Sequence, residues 1–285
     1  MAKSISNLRG GARELATAAP SAAPSSAPAM MGGPITDTDI LNFALNLECL
    51  EAEFYSYAAF GAPLTDEQRG GGPASIGGKQ AVLSDDFQTY AEEIANHEIG
   101  HVELLRGVLG DAAVPCPLMD IGPAFAAAAN AAVGMKLAPA YTPYFNDPWF
   151  ALGAFIFEDV GVTAYNGAAP LIKNKDYLAA AAGLLGVEAY HAGIVRTLLY
   201  QVKDTPLTPY PVTVAAATTA VSNLRGMVGG DKDVPIYDGG ETHLVPVDEN
   251  SLVFARTVDE VLAIVYLGDA KKPGGFFPDG INMMM

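Results

Sequence analysis

Four glutamates and two histidines recur in this sequence in an order that suits metal binding. Glu48 is followed seven residues later by Tyr55, and Glu98 is followed after three by His101 and after eight by Arg106. The same order returns with Glu158 and Tyr165, then Glu188, His191 and Arg196. The first copy has about twenty extra residues between its two parts, which a Gly-rich stretch fills. Residues three apart on a helix share a face, so each Glu-x-x-His pair can bind one ion or serve two adjacent ones. Two such pairs, with one glutamate from each of two further helices, make the ligand set of a dinuclear carboxylate centre in a helical bundle. Charge points the same way. An isolated carboxylate in a dry interior costs on the order of tens of kcal/mol, and two divalent ions would balance four glutamates.

The neighbours of these residues put them near an apolar side. Ile94, Ala95, Val102 and Leu105 flank Glu98 and His101, while Leu184, Leu185, Ile194 and Val195 flank Glu188 and His191. Glu158 interrupts an apolar run from Trp149 to Val162, where a solvated acid is hard to place. Glu51 lies one turn from Glu48 and is an alternative ligand on the first helix. Tyr55 and Tyr165 are candidates to hold the ligands from behind, with plain core packing as the other reading. Arg106 and Arg196 read as outward ion-pair partners. A competing motif overlaps the first pair: His97-Glu98-Ile99-Gly100-His101 fits the H-E-x-x-H of zinc peptidases, in which both histidines bind zinc and the glutamate is the base. That reading leaves Glu188 and His191 unexplained. The extended peptidase version also wants Gly and His where Leu104 and Gly107 stand. Outside a peptidase, His97 is a neighbour of the site or a surface residue.

Helices must carry these residues. Thr36 or Asp37 can cap a first helix that Gly61 and Pro63 stop; a second runs from near Ser84 to Gly110. Asp147 as cap with Pro148 behind it opens a third long helix through Ala168, and a fourth spans roughly Asp176 to Val202. A short Ala-rich helix over Ala124 to Leu137 and a fifth main helix from Val212 to Val228 complete this part. The Gly-rich stretch over residues 70–78 reads as a loop. From Gly229 onward the chain is loop-rich, with one short helix from Thr257 to Leu267, where Thr257 and Glu260 have capping-box spacing. The domain reading is a low-complexity, disordered segment over 1–34, a helical bundle over 35–228, and an extension over 229–285 packed on that bundle.

A net charge of −16 and a pI near 4.5 disfavour nucleic acid and anionic membrane surfaces as partners. No unbroken run of about 18 apolar residues marks a transmembrane segment. Cys49 and Cys116 are too few for a disulfide framework or a four-thiolate zinc site, and whether they form one bridge the sequence leaves open. Lys3, Arg9 and Arg13 against Glu14, among many Ala and Ser, hint at an organelle (chloroplast) transit peptide.

These motifs make the chain resemble the ferritin-like superfamily, and within it the desiccation-related proteins of resurrection plants. The narrower resemblance rests on residues 45–58 (LNLECLEAEFYSYA), on the segment ending EIGHVELLR, and on residues 254–280 (FARTVDEVLAIVYLGDAKKPGGFFPDG). It implies an all-α fold: a ferritin-like four-helix bundle with a fifth helix and a loop-rich C-terminal extension. It implies Glu48, Glu98, His101, Glu158, Glu188 and His191 as metal ligands and a stress or desiccation role. The chain lacks the paired C-x-x-C of a rubredoxin centre. The functions to separate are peroxide or oxygen chemistry at an iron or manganese pair, a structural stress protein, and the zinc peptidase.

Overall fold

The computed structural model describes residues 34–283, so the expected disordered segment over 1–34 lies, but for its last residue, outside the described residues. Seven α-helices follow in order: α1 (Asp37–Phe60), α2 (Asp85–Leu109), α3 (Pro123–Val133), α4 (Asp147–Ala168), α5 (Lys175–Gln201), α6 (Val214–Val228) and α7 (Val258–Val265). Among the described residues there are isolated β-bridges but no strand. Among the described residues the architecture is all-α, as the resemblance implied.

Local chemistry sets the helix ends. Thr36 caps α1 in a capping box with Asp39, and Gly61 ends it in the left-handed conformation at φ 67°, which costs glycine least. Thr257 and Glu260 form the second capping box, at the start of α7. Asp147 does not cap α4 as expected. Asn146 does, accepting a hydrogen bond from Trp149 N at 3.1 Å. The Asp147 carboxylate instead accepts from the backbone and hydroxyl of Ser84 at 2.8 and 2.6 Å, tying the start of α4 to the start of α2. Asn174 caps α5.

α1 packs along α2, and α4 along α5. The four differ sharply in burial. α1 buries 19 of its 24 residues and α4 17 of 22, whereas α2 buries 7 of 25 and α5 8 of 27. α1 and α4 are therefore enclosed all round, and α2 and α5 each keep a face open. Irregular segments supply the extra cover. Ala81 N donates to Ala58 O, Asn42 binds the backbone of Ala112 and Val114, and Asn46 binds the backbone of Asn282. Phe276 and Phe277, fully buried, come from the C-terminal extension, and Phe276 packs edge-on against Phe125 and Phe157. α5 is the one described helix long and apolar enough, by length and composition, to cross a membrane. It also carries Glu188, His191 and Arg196, all of them buried.

Cys49 on α1 and Cys116 are joined in a disulfide across 67 residues of chain, with Cα atoms 5.9 Å apart.

Candidate metal centre

The four long helices bring the six residues of the repeat together. Glu48, Glu98, His101 and Glu188 each offer an atom within 4.8 Å of the others, and Glu98, Glu158 and His191 do the same. Glu98 belongs to both groups. Its Oε2 lies 3.3 Å from His101 Nδ1, and its Oε1 lies 2.9 Å from His191 Nδ1. His101 Nδ1 also faces Glu48 Oε2 at 3.0 Å and Glu188 Oε1 at 3.8 Å, while His191 Nδ1 faces Glu158 Oε2 at 3.6 Å. Both imidazoles thus turn the same nitrogen toward the carboxylates.

The two tyrosines reach across the bundle. Tyr55 of α1 donates its hydroxyl to Glu158 of α4, and Tyr165 of α4 donates to Glu48 of α1. This crosswise pairing follows the internal repeat and leaves Glu158 Oε2 and Glu48 Oε2 turned toward the histidines.

Glu51 is buried as well, beside the group that contains Glu48. A side chain on Gly161 of α4 would come within 2.2 Å of Glu188 Oε2 and 3.5 Å of Glu51 Oε1. Gly161 stands three residues after Glu158, where Glu51 stands three residues after Glu48. The missing side chain in one half thus makes room for the extra carboxylate of the other. Sequence reading missed this; the signal was the mismatch at that repeat position.

Burial governs the protonation of the site. It pushes Glu48 up to about 7 and Glu158 up to about 8, with the Glu98 charge adding to both and His101 and His191 respectively opposing. Burial and neighbouring carboxylates hold Glu51 and Glu188 well above the ordinary carboxylate range. Burial also resists charge on Glu98, but His101 and His191 override it and hold Glu98 low. For His101, burial disfavours the imidazolium, yet Glu48 and Glu98 raise it to about 10.

Several carboxylate and imidazole atoms nevertheless stay unsatisfied. Glu98 Oε1 and Oε2, Glu158 Oε2, Glu188 Oε1 and Oε2, and His191 Nδ1 are buried with no hydrogen-bond partner. Native proteins leave few such atoms, and here they converge on one space. A cation fits that pattern.

Two expectations need correction. Arg196 is not an outward residue. It is fully buried, pairs with Asp159 Oδ2 at 2.7 Å and donates to the carbonyls of Val234 and His243. Arg225 and Arg256, with Asp233, complete a buried network that holds the extension against α4. Among the described residues Arg106 has no carboxylate partner; it donates to the carbonyls of Gln68 and Val114 and to Cys116 Sγ. In both cases irregular chain covers what would otherwise be an outer helix face.

The peptidase geometry does not form. His97 belongs to neither buried group; its Nδ1 sits 3.0 Å from His191 Nε2, and Glu98, the would-be base, is enclosed between two histidines.

The ferritin-like domain family matches residues 36–201. The desiccation-related protein PCC13-62 of Craterostigma plantagineum is 35% identical over 260 residues, 86% of this chain and 82% of that protein. The ferritin-like catalase Nec2 of Nesocodon mauritianus is 33% identical over 261 residues, 86% of this chain and 83% of that protein. No solved structure matches.

Proposed function

This chain belongs to the ferritin-like domain family, and from that premise we propose that it holds two transition-metal ions, manganese or iron, and disproportionates hydrogen peroxide. The observation that carries the reading is the cluster of unpartnered carboxylate and imidazole atoms aimed into one buried space. Glu48, Glu98, Glu158, Glu188, His101 and His191 would hold the pair, with Glu98 placed to serve both ions. Carboxylate and imidazole suit manganese and iron.

When bound, such a pair supplies a reservoir for two electrons. The chain's own residues bind, orient and shield. Tyr55 and Tyr165 fix the carboxylates of Glu158 and Glu48 by hydrogen bonds from opposite helices. Four ligand carboxylates balance two divalent ions, so the fifth, Glu51, keeps a proton on its carboxyl group, which burial favours. The enclosing α1 and α4 keep bulk water from the site.

Disproportionation closes without an outside reductant. One peroxide gives up two electrons and two protons to become oxygen; a second takes them up and becomes two waters. That balance suits a chain whose two cysteines are joined to each other. The relative named a catalase supports the same chemistry. The test is oxygen release from peroxide by protein reconstituted with Mn(II) or Fe(II) and freed of excess metal. One oxygen per two peroxides, lost in His191→Ala, supports the proposal. Peroxide loss only with an added reductant, or equal activity in His191→Ala, contradicts it. A second reading, a structural stress protein, draws on the desiccation-related relative; metal bound without any peroxide turnover would favour it.

A further inference from the structure

The two halves of the site are not equivalent, and His97 is the residue that breaks their likeness. Position by position, Glu98 and His101 of the first half answer to Glu188 and His191 of the second. The residue before Glu188 is Val187; the residue before Glu98 is His97. His97 is exposed on α2, yet its ring reaches across to α5. Its Nδ1 stands 3.0 Å from His191 Nε2, with the ring planes 9° apart.

The direction of that contact matters. His191 turns Nδ1 inward, 2.9 Å from Glu98 Oε1 and out of hydrogen-bonding geometry, so a lone pair there is free for a cation. A neutral imidazole that gives its Nδ1 lone pair to a metal carries its proton on Nε2. That N–H needs an acceptor, and an acceptor on the far nitrogen fixes the tautomer and the ring orientation of a metal-bound histidine. His97 Nδ1 is at the right distance. On the other side, Val187 offers no acceptor for His101.

We infer that His97 is a positioning residue: it holds His191 by accepting from Nε2–H, and so makes the ion at His191 bind more tightly than the ion at His101. This rests on the proposed two-metal site. It also gives a role to the H-E-x-x-H spacing that does not make a peptidase: the first histidine serves the ligand of the opposite helix.

The experiment titrates Co(II) into metal-free protein, followed by calorimetry and visible absorption, in wild type, His97→Val and His97→Gln. The wild type should take two ions in two separable steps. Loss of an outer hydrogen-bond partner typically weakens a metal site by about 10–100-fold, and His97→Val should weaken one step by that much and leave the other. His97→Gln, whose side-chain carbonyl can accept the same N–H, should recover most of the loss. Circular dichroism should match in all three, since His97 lies on an open helix face. Two indistinguishable steps in the wild type, or a His97→Val titration that matches wild type or weakens both steps alike, would overturn the inference with the two-metal site intact. A wild type that binds no Co(II) would instead remove the two-metal reading, and the inference with it.

Discussion

At the residue scale the site depends on what is absent as much as on what is present. Gly161 leaves the space that the Glu188 and Glu51 carboxylates occupy. Gly161→Ala therefore sets two effects against each other. In a helix interior alanine is favoured over glycine by about 1 kcal/mol, whereas forcing a methyl into a packed interior costs about 1–3 kcal/mol. A Cβ only 2.2 Å from Glu188 Oε2 puts this position on the costly side. The variant should melt below wild type and hold metal more weakly. A melting temperature above wild type with metal binding unchanged would mean that Glu188 is free to move and is no fixed ligand. The six repeated residues were legible because helix period and repeat order constrain them together. Glu51 was legible only as an alternative to Glu48; its relation to Gly161 was not, because that exists only once α1 and α4 face each other.

At the scale of elements, each enclosed helix is pinned one residue beyond its glutamate. Cys49 follows Glu48 and is bonded to Cys116; Asp159 follows Glu158 and is paired with Arg196 and Arg225. One half uses a covalent link and the other buried ion pairs, at matching positions of the repeat. Closing 67 residues of chain removes unfolded-state entropy worth about 4 kcal/mol in the loop-closure account. In a chain of this size each kcal/mol is worth about 2–4 °C. The double variant Cys49→Ser/Cys116→Ser should thus melt on the order of 10 °C lower, and reductant should do the same to wild type alone. Equal melting of the two proteins under oxidising conditions would contradict the link. Helix limits were largely readable, because capping residues and apolar period act locally: Thr36, Gly61, Thr257 and Glu260 behave as their types require. The roles of Arg106 and Arg196 were not readable. Their partners are carbonyls and acids on irregular segments distant in sequence, and no periodicity points to those.

At the scale of the whole molecule, an acidic chain buries six glutamates, five of which (Glu48, Glu51, Glu98, Glu158 and Glu188) cluster at the candidate site. Without metal, protons must take the cations' place. Glu48, Glu51, Glu158 and Glu188 all sit above their ordinary 4.5 in the folded state, so the native state keeps protons that the unfolded state releases. Stability must fall as pH rises from about 4.5 through about 8. His101, raised from 6.5 to about 10, adds stability that is complete below 6.5 and lost as pH climbs toward 10. Glu98, held low, works the other way and costs stability only as pH falls below 4.5. In chelator, the melting temperature should therefore decline from about pH 5 to pH 8, and Mn(II) should flatten that decline by replacing the protons. A flat curve in chelator would contradict the buried-carboxylate account. The central claim itself is a count. Elemental analysis of protein reconstituted with Mn(II) or Fe(II), then desalted, should give about two ions per chain, as four carboxylates and two imidazoles require, and fewer in Glu188→Ala. No bound metal, or a single ion indifferent to Glu188→Ala, would contradict it.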